Sequence, residues 1–136
     1  MPKSLKDSLY ENILHILQLC QPNGWEKVLL YGEVDDDQCY AYFYSYPKGS
    51  PKPLFCNDLP EKENMDPEQL ADLMDELDDC LISLWEESQS LNDGPWSTVT
   101  ITFDSDGRHQ AKYTLTDLKK GNMESRKKVW DKEHLK

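Results

Sequence analysis

Residues 39–46 read Cys39-Tyr40-Ala41-Tyr42-Phe43-Tyr44-Ser45-Tyr46. Four tyrosines fall on even positions, while Cys39, Ala41, Phe43 and Ser45 take the odd ones. Successive side chains of a strand point to opposite faces, so this alternation predicts a β-strand. Both of its faces carry apolar bulk. A strand of that kind sits inside a sheet that is covered on both sides.

The pattern continues on either side. Upstream, 25–34 is rich in β-formers and runs into the polar turn Asp35-Asp36-Asp37-Gln38, which predicts a hairpin with 39–46. Before it, Leu5, Leu9, Ile13, Ile16 and Cys20 share one helical face. Ser4 with Asp7 forms a possible N-cap pairing, and Pro22-Asn23-Gly24 stops the helix. Downstream, 47–51 is a turn and 53–57 a short third strand whose prolines suit a sheet edge. Residues 58–65 read as a polar connection.

Asp66-Pro67-Glu68-Gln69 then opens a second helix: Asp66 caps, and Pro67 suits the first helical position. Leu70, Leu73, Met74, Leu77, Leu81, Leu84 and Trp85 make its apolar stripe, and Asn92-Asp93-Gly94-Pro95 ends it. In the next hairpin Val99, Ile101 and Phe103 alternate with threonines. Asp104-Ser105-Asp106-Gly107 is its turn, and 108–115 returns with His109, Ala111, Tyr113 and Leu115 on one face. A short basic helix over 123–133 packs through Met123, Val129 and Trp130. The order α-β-β-β-α-β-β-α, with hairpin-short links between strands, gives an α+β fold with a mainly antiparallel five-stranded sheet packed with helices. The length of 136 residues suits a single domain over 1–136.

Composition narrows the function. The chain carries 15 Lys+Arg against 26 Asp+Glu, a formal charge of −11. Such a surface repels phosphate backbones and anionic membranes, so the expected partner is a basic protein, with no nucleic acid and no membrane. No apolar run is long enough to span a bilayer. Residues 1–7 lack the apolar centre and cleavage site of a secretory signal, so the expected location is cytoplasmic. Cys20, Cys39, Cys56 and Cys80 form no C-x-x-C pair and read as small buried hydrophobes.

The acids concentrate on the second helix. From Asp58 to Asp93 thirteen acidic residues face one base, Lys62. Glu68, Asp72, Asp75, Glu76, Asp79 and Glu86 lie opposite the leucine stripe. Spacings 68/72, 72/75, 72/76, 75/79 and 76/79 set like charges within one turn. Five such pairs cost roughly 1–2.5 kcal/mol. Local stability therefore does not explain this face. A solvated surface kept soluble by charge is the plainer reading, and a docking surface for a basic partner the sharper one. A metal or catalytic carboxylate cluster fits poorly, because side chains on a convex helix do not converge on one ion.

Other constellations are weaker. Asp104-x-Asp106-Gly107 resembles the start of a calcium loop, but the fifth and twelfth positions are Arg108 and Leu115, so it reads as a hairpin turn. His15, near the buried side of the first helix, His109 and His134 share no ligand spacing. Neither a phosphate-binding glycine loop nor a nucleophile elbow is present. No catalytic residue, cofactor or metal is expected. The tyrosine ladder reads as core with hydroxyls at its rim. The basic tail 119–136 could cover a sheet edge, or neutralise the acidic helix within the chain or across a homodimer.

Taken together, several stretches resemble the YezG-like immunity proteins, antidotes of bacterial polymorphic (LXG-type) toxins. They are Trp25-Glu26-Lys27 with Tyr31, Tyr42-Phe43-Tyr44, Trp96 with Thr100, Asp106-Gly107, Tyr113 with Asp117, and Glu124-Ser125-Arg126 with Trp130 and Lys132. Their order and spacing over 8–134 carry the resemblance. It implies a non-catalytic intracellular protein that binds and neutralises a cognate toxin domain, often a nuclease, and brings no catalytic motif. The element order is also similar to that of type III secretion chaperones, which leaves an effector-escorting module as an alternative. A metal-dependent carboxylate enzyme is the third.

Overall fold

The computed structural model describes residues 5–21, 24–35, 38–49, 52–62, 64–90 and 96–135. The elements follow in the order α1 (Leu5–Leu19), β1 (Trp25–Val34), β2 (Cys39–Pro47), β3 (Leu54–Phe55), a 3-10 turn (Cys56–Asp58), α2 (Leu59–Lys62), α3 (Pro67–Ser90), β4 (Thr98–Asp104), β5 (His109–Thr114) and α4 (Met123–His134). The sheet order is β3-β2-β1-β4-β5, and every neighbouring pair is antiparallel. The expected α+β order stands, with one addition. The expected third strand gives way at Cys56 to the 3-10 turn, and the stretch read as a polar connection holds the single-turn α2, because the buried Cys56 and Leu59 anchor the chain there. The proline-flanked third strand is two residues long and lies at an edge, as expected.

β1 is the central strand, and registry across it sorts the side chains. Tyr31 lies opposite Tyr42 on one side and Thr100 on the other; Leu30 lies opposite Phe43 and Ile101. One face of the sheet therefore collects Val28, Leu30, Phe43, Val99, Ile101 and Phe103, each at most 1% exposed. α1 and α3 pack side by side on it, through Leu9, Ile13, Ile16 and Leu17 of α1 and Leu70, Leu73, Leu77, Leu81 and Leu84 of α3. Gly32 is where α3 comes closest: a Cβ there would stand 3.0 Å from a methyl of Leu81. Leucines every three or four residues make α3 a helix that must bury one stripe, and the apolar strand face is what it buries against.

The other face collects Leu29, Tyr31, Glu33, Tyr42, Tyr44 and the threonines of β4. Among the described residues it is covered by α4, through Trp130 and Arg126. The second strand is thus covered on both faces, as its alternation predicted.

Local chemistry sets the ends of these elements. The Glu68 backbone N–H donates to Asp66 Oδ1 at 3.0 Å, the capping expected for α3. The β1–β2 hairpin is closed by Asp35 N–H to the Gln38 carbonyl at 3.0 Å and by Gln38 N–H to Asp35 Oδ1 at 2.9 Å. Gly107, at φ +91, supplies the left-handed residue of the β4–β5 turn. At the start of α4, Asn122 and Ser125 form a reciprocal capping box. The expected cap at Ser4, the stop at 92–95 and the residues Pro22 and Asn23 of the first stop lie outside the described residues.

Candidate functional site

The six acids singled out on α3 all emerge on its solvent side. Glu68, Asp72, Asp75, Glu76, Asp79 and Glu86 are exposed, while the leucine stripe opposite is buried. Among the described residues, none of the six is in an ion pair. Glu76 and Asp79 line a cavity of about 310 Å³ between α1 and α3, together with Asn12, His15, Ile16 and Cys80. His15 is exposed there and not on the buried side of α1: the packed face rotates through Leu9, Ile13, Ile16 and Leu17 and leaves position 15 outward.

A seventh acid, Asp78, turns inward. It is half-buried, and Cys39 Sγ lies 3.8 Å from both its Oδ1 and its backbone carbonyl. Burial lifts its carboxyl to about 6, the neighbouring charges of Asp75 and Asp79 add to this, and the Cys39 contact opposes it. The same burial, with Asp78 alongside, pushes the Cys39 thiol up to about 12. Cys20 and Cys56 are buried, as expected, whereas Cys39 and Cys80 are only half-buried; all four are free.

The basic C-terminal helix does not neutralise the acidic face. α4 lies on the opposite side of the sheet, where Arg126 and Lys127 have other partners. Arg126 makes a bidentate pair with Glu33, Nε to Oε2 at 2.7 Å and Nη2 to Oε1 at 3.0 Å, and Tyr31 Oη donates to the same Oε2 at 2.6 Å. Glu33 is 1% exposed. Lys127 Nζ reaches Asp131 Oδ2 at 2.6 Å and Tyr44 Oη at 2.7 Å. Trp130 is enclosed by Tyr31, Tyr42 and Tyr44, with centroid distances of 5.7, 5.5 and 6.0 Å, and its Nε1 donates to Thr100 Oγ1 at 3.0 Å. Of the three residues expected to pack this helix, Trp130 does, at 5% exposure, while Met123 and Val129 stay 39% and 58% exposed and Arg126 and Lys127 take their place.

Reading the sequence missed Glu33 as the anchor of this dock. One signal was available: it is the only acid in the otherwise apolar 28–34 run. The tyrosine ladder supplies the rest, as packing with hydroxyls at the rim. Burial and the Glu33 bond raise the Tyr31 phenol. Tyr31, Tyr42, Tyr44, Thr100, Arg126 and Trp130, quoted from four separate stretches of the family resemblance, meet in this one cluster.

Among the described residues no three His, Cys, Asp or Glu side chains come together to hold a metal ion, and no helix is long and apolar enough to cross a membrane. What the fold presents is a pair of helix-covered surfaces, one acidic and one basic, set back to back across a sheet. That arrangement offers two oppositely charged surfaces to a partner.

Comparison with known proteins supplies a family. The profile of the YezG-like immunity proteins matches residues 6–136. Immunity protein YezG of Bacillus spizizenii is 32% identical over 124 residues, covering 90% of this chain and 77% of that protein. Immunity protein YezG of Bacillus subtilis strain 168 is 26% identical over 129 residues, covering 93% and 85%. The chain belongs to the YezG-like immunity protein family, a family of binders and not of enzymes.

Proposed function

We propose that this protein neutralises a cognate toxin domain by stoichiometric binding, and that the solvent side of α3 docks a basic surface of that domain, such as the substrate channel of a nuclease. The observation that carries the reading is that Glu68, Asp72, Asp75, Glu76, Asp79 and Glu86 make no ion pair among the described residues, with the chain's own basic helix on the far side of the sheet. A row of carboxylates held on a rigid helix offers a nuclease the charge pattern of the phosphates that it normally binds. Family membership supports the toxin as partner.

Co-expression with candidate toxins from the neighbouring genes tests it. The wild type should rescue growth and bind the isolated toxin domain. Asp72→Lys combined with Asp75→Lys, Glu76→Lys and Asp79→Lys should lose both while remaining folded. Rescue and binding that survive this reversal would remove α3 as the docking face. Binding confined to an export segment of the toxin chain would instead favour an escorting chaperone.

A further inference from the structure

Between α4 and the β4–β5 hairpin lies a cavity of about 300 Å³ that the α4 dock does not fill. Its floor is the threonine side of the sheet, Thr98, Thr100 and Thr114, with Lys112 among them; its wall is α4, through Val129 and Trp130. Lys112 is exposed and has no ion-pair partner among the described residues. Val129 leaves an apolar side chain in solvent at 58% exposure, as does Leu115 at 67%, between the lining residues Thr114 and Thr116.

Part of the cavity's lining, Lys112 and Thr114, belongs to β5, the edge strand of the sheet, whose outer side has no neighbouring strand among the described residues. An edge strand presents a row of backbone donors and acceptors that an extended segment can pair with. Such a segment would direct alternate side chains over the sheet face that carries Lys112, and so into the cavity. Charge selects its chemistry. On a chain of −11, residues 108–132 hold eight of the fifteen basic residues against three acids, and of these bases the exposed Lys112 lines the groove, with one acid, Glu133, on the α4 wall.

We infer that the groove between β5 and α4 binds an acidic, extended segment of a protein partner by strand addition, with a carboxylate seated on Lys112 and an apolar side chain against Val129. This site is separate from the α3 face and does not depend on it.

The probe is an eight-residue peptide alternating glutamate and valine, titrated into the ¹⁵N-labelled full chain. Amide shifts should be confined to residues 109–116 and 126–134. Lys112→Glu should weaken binding by about tenfold, the effect of losing one well-placed charge-assisted contact. N-methylation of alternate peptide residues should weaken it by a similar factor, because it removes strand hydrogen bonds and leaves charge intact. The fourfold α3 reversal should leave the peptide's affinity unchanged, which separates this site from the toxin-docking reading. No binding at about 1 mM peptide, shifts centred on α1 and α3, or equal affinity for the N-methylated peptide or the Lys112→Glu variant would overturn the inference.

Discussion

At the scale of single residues, two carboxylates show how burial decides what a charge does. Glu33 is sealed at 1% exposure, yet both of its oxygens are satisfied by Arg126 and one also by Tyr31. Removing one partner of a buried pair leaves the other uncompensated, which costs more than the pair itself contributes. Arg126→Ala is therefore expected to lower unfolding free energy by about 3–5 kcal/mol in urea titrations, and the double variant with Glu33→Leu should recover part of that loss. Asp78 is the opposite case, a half-buried acid among like charges with its carboxyl raised to about 6 from 3.8. Between those values the folded chain holds a proton that the unfolded chain has released. Stability thus falls as pH rises through this window, and the full cost is present above it. Asp78→Asn should stabilise the protein by about 1 kcal/mol at pH 7, after allowance for solvent screening. That gain should vanish when the melt is repeated below about pH 4. The chain marks Glu33 only as the single acid of an apolar run and Asp78 as one more acid in a crowded helix, and the partners of neither could be read from it.

At the scale of elements, α3 and α4 are held in different ways. α3 is driven by its leucine stripe, and its solvent face is strained by repulsion. Asp72→Lys replaces like pairs with Glu68, Asp75 and Glu76 by opposite ones. It should raise stability by about 0.5–1 kcal/mol while weakening toxin binding; calorimetry and a binding titration on the same variant would show the two moving in opposite directions. A gain in both would mean that the acids serve neither folding nor docking. α4 has no such stripe. A tryptophan and two cations tie it to the sheet, so its attachment rests on few contacts. Trp130→Ala removes about 3–5 kcal/mol of packing, and hydrogen exchange should show α4 amides losing protection while those of α3 keep theirs. The leucine periodicity announced α3 correctly. The same reasoning placed Met123 and Val129 on the packed side of α4, because apolar residues are normally buried. The Glu33–Arg126 pair fixes the rotation of that helix instead.

At the scale of the whole molecule, the sheet separates charge. Acids cover the α1–α3 side and bases the α4–β5 side. An exposed field of this kind acts mainly on encounter. The association rate with a basic toxin domain should fall by about tenfold or more between low and physiological salt, while dissociation changes little, as stopped-flow and surface-binding measurements would show. A dissociation rate that carried most of the salt dependence would place these charges inside a desolvated contact instead of around it. Six of the residues that carry the family resemblance build the α4 dock, and the α3 acids are not among those that carry it. The α4 dock and the proposed docking surface therefore occupy opposite faces of the same sheet.

What the sequence determined by itself is whatever depends on local periodicity: the five strands, the long helices, the α+β order, the buried stripe of α3 and the outward row of acids. Side-chain direction follows from position along a helix or strand, so these were legible one segment at a time. Only the tertiary structure decided which face of the sheet each helix covers. It thereby decided that the basic helix leaves the acidic one unneutralised, that Glu33 is an anchor, and that a groove remains beside β5. Those facts depend on residues far apart in sequence, Glu33 and Arg126 above all, being brought within bonding distance, and no local pattern encodes that meeting.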